Sequence, residues 1–495
     1  MVSRGPVPTT GARWAGIAAL PQDVRSWVVT FVAVALAYLL TSHALFLFFG
    51  VWQIPLFVGV LAGMIASSYL QAGIVAVGGL ALLQLISPPV FIARAPLGLG
   101  GWVLSVVLVA AASLGVGYVR TAGIVPKKTL ALGVSSLLVV WALVNLWVPL
   151  LAGGIPLTGY GPLHAADISA VPQPHQYVND DAIYRRVFYL MHAGTPYYQA
   201  FRDAWLGLKQ APPLPSSVTA YRLPTMYWLW NLLPDNAFLI VTVFLGFASI
   251  GAVAAAFITG QLVGIRFAPL AALAVAGYAA GSAVTVYLTY IDLPAACIAL
   301  VGIALFARAA VSDDDRFLYA AATVLALAAL TREILAYLIV FAALSALLQP
   351  AGKRLRRALP WIAALGTFAL GYAAHAYEVT TLIANRSGTI GYVGGSPAFA
   401  LDAIRRFSDW MAAGGIVLPL LFVLGVLGAL GAAKRAGRPF SVFALAALVV
   451  PIVAMVKLGN PGIDAAGQQV NYWGNLFVPL ALSLWPVAAI LLPDV

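Results

Sequence analysis

The sequence predicts an all-α, polytopic integral membrane protein with about 14 transmembrane helices. Of its 495 residues 62% are hydrophobic and only 9% charged, with a mean hydropathy of +0.96. That is more apolar surface than a soluble chain can cover. Apolar runs recur at lengths of about 16–24 residues, enough to cross about 30 Å of hydrocarbon. The runs are continuous rather than alternating. They therefore read as helices, whose backbone groups are satisfied internally, and not as barrel strands.

Four helices open the chain, near 27–48, 52–70, 73–93 and 101–119, almost without polar content. Arg4, Arg13 and Arg25 precede the first. That run is too long for a signal core and lacks a small-residue cleavage site, so it reads as a retained helix. A fifth helix near 129–152 leads into one long polar loop, about 153–235. Helices near 236–258, 268–290, 293–309, 317–331, 334–349 and 358–378 follow. The runs at 293–309, 317–331 and 334–349 are short, as tilted or broken helices would be, and Pro294 suits a first turn, where its missing N–H is unpaired anyway. After a second loop (379–413) come helices near 414–433, 440–457 and 473–492. The chain thus divides into a four-helix region (1–128), a module holding the long loop (129–378) and a C-terminal membrane region (379–495). The one cysteine, Cys297, lies inside an apolar run, which excludes a disulfide within the chain.

The net charge of +11 is distributed in short clusters between the apolar runs, the positive-inside pattern rather than a nucleic-acid footprint. With the N- and C-termini in the cytoplasm, inner segments hold 16 of the 27 basic residues, and outer segments hold 11 of the 16 acids. Acids contribute little to orientation, so their excess on one side points to chemistry or cation binding there.

Five stretches could carry that chemistry. Asn179-Asp180-Asp181-Ala182-Ile183-Tyr184 opens a short amphipathic helix with Ile183, Val187 and Leu190 on one stripe, ended by Gly194 and Pro196. Acids in a first turn are also favoured by the helix dipole alone. Tyr221-Arg222-Leu223-Pro224-Thr225 re-enters the membrane among aromatics that suit an interfacial belt or a stacking face; Arg222 could hold a phosphate. Asp292, before Pro294, reads either as a helix cap or as a contact to a sugar hydroxyl or a divalent cation. Thr331-Arg332-Glu333 puts a guanidinium and a carboxylate at membrane depth, costly unless paired or functional; Arg332 would pair with Glu333 or grip a phosphate in bidentate fashion. The stretch from Gly467 to Asn475 is rich in amides and aromatics. There is no P-loop, HExxH or CxxC, and His43, His164, His175, His192 and His375 show no metal-ligand spacing.

In their order and common side, these motifs resemble the GT-C superfamily of polytopic glycosyltransferases, of mannosyltransferase or aminoarabinose-transferase type. The resemblance rests on the Asp180-Asp181 pair with Tyr184 and the Gly194-Thr195-Pro196-Tyr197-Tyr198 stretch. It also rests on Tyr221–Thr225, on Asp292-Leu293-Pro294 and on Thr331-Arg332-Glu333, and it covers about 129–378. It implies sugar transfer from a polyprenyl-phosphate donor to a glycan, lipid or protein acceptor outside the plasma membrane, with inversion. Asp180 would be the general base and Asp181 its support or alternative. Asp292 would contact sugar or cation, Arg332 would clamp the lipid phosphate beside Glu333, and Arg222 and Tyr184 would assist. The family's loop usually follows its first helix, whereas four additional helices come first here. The same features leave two rival readings: a lipid-linked glycan ligase or polymerase, and a polytopic lipid or solute transporter.

Overall fold

The computed structural model describes residues 22–41, 53–86, 98–149, 180–207, 213–234, 237–284, 291–388, 396–405, 416–458 and 473–491. Among these the chain is helical, with one isolated bridge between Pro215 and Gly388 in place of any sheet. Six helices are long and apolar enough to cross a membrane, and six shorter apolar ones accompany them. Large apolar side chains such as Val107, Leu137 and Leu370 point outward, more than half exposed, as lipid-facing positions of a multi-pass membrane protein do.

The N-terminal helices are α1 (Gln22–Thr41), α2 (Gln53–Ile65), α3 (Tyr69–Ile86) and α4 (Gly98–Thr121). Small residues let α2 and α4 approach closely: a Cβ on Gly59 would stand 2.8 Å from the Val109 carbonyl, and one on Gly63 2.9 Å from the Gly117 nitrogen. This is how helices gain contact where no hydrophobic force separates protein from solvent. Tyr38 Oη donates to the Ala76 carbonyl at 2.9 Å, tying α1 to α3. Helix α5 (Lys127–Pro149) joins this group to the rest. Its Trp141 indole donates to Gln53 Oε1 (3.1 Å), and its Trp147 indole to Ser249 Oγ (2.7 Å).

The loop carries α6 (Asp180–His192), α7 (Tyr197–Leu206) and α8 (Thr225–Asn231). The expected stripe is there: Ile183 and Val187 are buried, Leu190 partly so, and the chain turns at Gly194 with φ +93°. Asn179 and 150–178 lie outside the described residues.

The membrane module continues with α9 (Ala237–Leu262), α10 (Ala268–Val284), α11 (Asp292–Ser312), α12 (Asp315–Thr331), α13 (Ala336–Ala346) and α14 (Ala351–Leu382). Helices α11 and α12 are full-length elements, whereas α13 starts only after a 3-10 turn at Glu333–Leu335. Helix α14 begins before the basic cluster, not after it. Lys353, Arg354, Arg356 and Arg357 therefore lie in its first two turns rather than in a loop, held there by ion pairs to the α11–α12 turn: Lys353 Nζ to Asp313 at 2.7 Å, and Arg357 to Asp315 at 3.4 Å.

The C-terminal helices are α15 (Pro397–Arg405), α16 (Val417–Gly431), α17 (Ala433–Leu458) and α18 (Val478–Leu484). Gly437, at φ +78°, breaks α17 near its start. The last segment is a 3-10 turn, a short α-helix and a second 3-10 turn. It does not run as one helix, because Pro479 and Pro486 remove backbone donors. Phe306 of α11 meets Trp361, Phe440 and Phe443 at ring-centroid distances of 5.0, 5.4 and 5.1 Å, fastening α14 and α17 to one core.

Helix α11 has two different ends. Its 21 residues span about 30 Å at 1.5 Å per residue. Asp292 begins it, and the Asp313–Lys353–Arg357 clasp closes it.

Candidate functional site: a buried charge cluster at one end of the bundle

Helix α12 stops at Arg332, whose backbone is extended (φ −143°, ψ 106°). The break turns Arg332 and its neighbour Glu333 toward the first turn of α11. There Arg332 Nε donates to Asp292 Oδ1 at 2.7 Å, and Arg332 Nη1 pairs with Glu333 Oε1. Arg332 and Asp292 are both 1% exposed in their side chains. Asp292 does not cap its helix: the cap position is Ile291, and no side chain accepts a bond there. Its carboxylate is spent on Arg332 instead.

Two loop segments close over this pair. Arg222 Nη1 lies 3.8 Å from Glu333 Oε1. Arg222 Nε donates to Tyr184 Oη at 2.7 Å, and the guanidinium carbon sits 5.8 Å from the Tyr184 ring centre. Tyr197 Oη donates to the Arg222 carbonyl, and Thr225 Oγ1 to the Leu330 carbonyl, so the re-entry is tied to α7 and to the end of α12. His375 of α14 bridges the same region, 3.1 Å from Tyr198 Oη and 3.0 Å from the Tyr221 carbonyl.

Five sequence-selected residues thus meet in one place: Tyr184, Arg222, Asp292, Arg332 and Glu333. Helix α6, which carries Tyr184, begins at Asp180 one turn earlier; the side chains of Asp180 and Asp181 lie outside the described residues. Arg186 faces elsewhere and donates to the Gly207 carbonyl at 3.0 Å. The sequence singled out Tyr197 only within the Gly194–Tyr198 stretch and Asn475 only within the Gly467–Asn475 stretch, and it gave His375 no role. The partners of His375 stand more than 150 positions away, so no local pattern marks it. Asn475 is fully buried, and neither amide atom has a hydrogen-bond partner among the described residues.

The cluster holds two guanidinium groups and two carboxylates, so it is neutral as it stands. Its hydrogen bonding is incomplete. Among the described residues Asp292 Oδ2 and Glu333 Oε2 are buried without a partner, each at a cost of about 1–3 kcal/mol unless another group, a ligand or water satisfies it. The loop phenols stay protonated: burial pushes Tyr198 and Tyr221 up to about 12, and burial first, then Tyr184 and Tyr198, raises Tyr197 well above its ordinary value. They can donate and position, but they are poor bases near neutral pH. Among the described residues, no three His, Cys, Asp or Glu side chains are grouped to hold a metal ion.

No family model, curated protein or solved structure matches this chain.

Proposed function

We propose that this chain is an integral-membrane glycosyltransferase that moves a sugar from a polyprenyl-phosphate donor to an acceptor at the outer face of the plasma membrane. The observation that carries the reading is the convergence of Tyr184, Arg222, Asp292 and Arg332-Glu333. They come from four separate segments and form one buried cluster in which two carboxylate oxygens have no partner among the described residues. These are the segments on which the family resemblance rests.

The chemistry would run as follows. An Asp180 or Asp181 carboxylate, at the start of α6, takes the proton of an acceptor hydroxyl. The freed oxygen attacks the anomeric carbon from the side opposite the phosphate. The carbon–oxygen bond to phosphate breaks, its electron pair leaves with the lipid phosphate, and the configuration inverts. Sugar hydroxyls satisfy Asp292 Oδ2 and Glu333 Oε2. The enclosed Arg332 holds both carboxylates in place. Arg222, joined to Glu333 at the longer distance of 3.8 Å, is the guanidinium that meets the leaving phosphate, where developing charge needs a cation.

A ligase acting on a pyrophosphate would draw on several arginines. Arg186, bound to the Gly207 carbonyl, is not one of those at the cluster. The test is incubation of purified protein with a labelled polyprenyl-monophosphate sugar and candidate acceptors. Transfer by the wild type, lost in Asp180→Asn or Asp181→Asn with expression unchanged, supports the assignment. Retained transfer in both variants refutes it. Turnover restricted to a pyrophosphate donor would instead identify the ligase, and passage across a vesicle without bond cleavage the transporter.

A further inference from the structure

A groove of about 550 Å³ runs between α12 and α14. Tyr319, Thr323 and Leu330 line it on one side, and Leu359, Ala363 and Thr367 on the other. Its walls are apolar along about three turns, and Thr323 and Thr367 are exposed to whatever surrounds the bundle. One end stops at Leu330, beside the charge cluster. The other opens at the first residues of both helices.

That second end is basic. Arg316 lies one turn before Tyr319 on α12, and Arg356 one turn before Leu359 on α14, so each continues its own wall of the groove. Their side chains are 91% and 72% exposed. Lys353, Arg354 and Arg357 stand beside them. The local acids are Asp313, paired with Lys353 and Arg357, Asp314, paired with Arg316, and Asp315, paired with Arg356 and Arg357. Five bases against three acids leave a positive excess. The N-termini of α12 and α14 open at this same end and add their positive dipole ends.

We propose that this groove binds one anionic phospholipid, with an acyl chain along α12 and α14 and the phosphate against Arg316, Arg356 and Lys353. Charge complementarity names the occupant: a zwitterionic lipid offers the same chain but no net charge to match the excess. Basic pockets between membrane helices on the cytoplasmic side hold anionic headgroups in this way. The headgroup end lies at the opposite end of the bundle from the charge cluster, and the proposal does not depend on the reaction proposed for that cluster.

The test uses the full chain, delipidated in detergent and titrated by native mass spectrometry. The ligands are dioleoyl phosphatidylglycerol, dioleoyl phosphatidylcholine and polyprenyl phosphate. Phosphatidylglycerol is expected to bind at least about tenfold more tightly than phosphatidylcholine, and the preference is expected to shrink with added salt. The double variant Arg316→Gln/Arg356→Gln is expected to weaken it about thirtyfold, the effect of two surface bases on an anionic lipid. Thr323→Trp, which fills the groove and leaves the basic end intact, is expected to weaken both phospholipids, with circular dichroism confirming the fold of each variant. Equal binding of the two phospholipids overturns the proposal, as does phosphatidylglycerol binding untouched by either variant. Displacement of phosphatidylglycerol by polyprenyl phosphate that persists in the double variant would assign the groove to the donor's tail and overturn it too.

Discussion

Arg332 is held by what it cannot leave. Fully enclosed, it shares its guanidinium between Asp292 and Glu333, and removing it strands the Asp292 carboxylate away from water and leaves Glu333 only Arg222 at 3.8 Å. Arg332→Met should therefore destabilise the protein by about 3–5 kcal/mol, the cost of orphaning a buried charge, seen as a lower unfolding temperature in detergent. Arg332→Met combined with Asp292→Asn should recover part of that loss without restoring transfer. A fall no larger than that of an average surface substitution would show that the pair carries no such burden. At this scale the sequence was informative where polarity was out of place. Asp292, Arg332 and Glu333 sit at the edges of apolar runs, where an ionisable group is costly, and that cost marked them. The detail of their pairing was not legible: a bond between positions 292 and 332 has no local signature. Both Arg332 and Arg222 are buried; the clamp role expected of Arg332 is proposed for Arg222 because Arg332 is shared between two carboxylates while Arg222 stands 3.8 Å from Glu333.

Among the elements, the α2–α4 contact depends on having no side chain at Gly63. Gly63→Leu would press into Ser113, Val116 and Gly117, and a cost of about 1–3 kcal/mol is expected for such overpacking, measured as thermal stability in detergent. The clasp between the α11–α12 turn and α14 makes a different prediction. The hydrogen bond from Lys353 and then the charge of Arg357 hold the Asp313 carboxyl below its ordinary value. Its folded value is thus lower than its unfolded one. The stabilisation is complete above about pH 4 and is lost as pH falls through the depressed folded value. Asp313 is 62% exposed, so solvent screening keeps the effect below about 1 kcal/mol. Asp313→Asn tolerates the same left-handed turn, φ 54°, and should lower stability slightly at pH 7, with the difference from the wild type shrinking as acid protonates Asp313. Helix positions were largely legible from apolar periodicity. The errors lie where side chains extend or break a helix: ion pairs carry α14 back to Ala351, and two prolines interrupt the final segment.

The whole molecule has two unlike ends. One gathers the loop helices, the charge cluster and His375; the other gathers the basic clasp and the mouth of the groove. Alternation of apolar runs with basic clusters predicted that polarity from the sequence, because insertion responds to Lys and Arg near the helix ends. What lay beyond the sequence was the compactness of the functional end, where segments from Tyr184 to Glu333 are joined by hydrogen bonds and ion pairs of 2.7 to 3.8 Å. Every step proposed for the reaction requires that end to face the outside. Cys297 is the only cysteine and is buried, so single exposed cysteines can report sidedness with little background. Thr219→Cys in the loop re-entry and Gly352→Cys at the start of α14 are both at exposed positions. With a membrane-impermeant maleimide on intact cells, Thr219→Cys should react at once and Gly352→Cys only after permeabilisation. The opposite pattern, with the loop re-entry labelled only from the cytosol, would contradict an outer-face transferase.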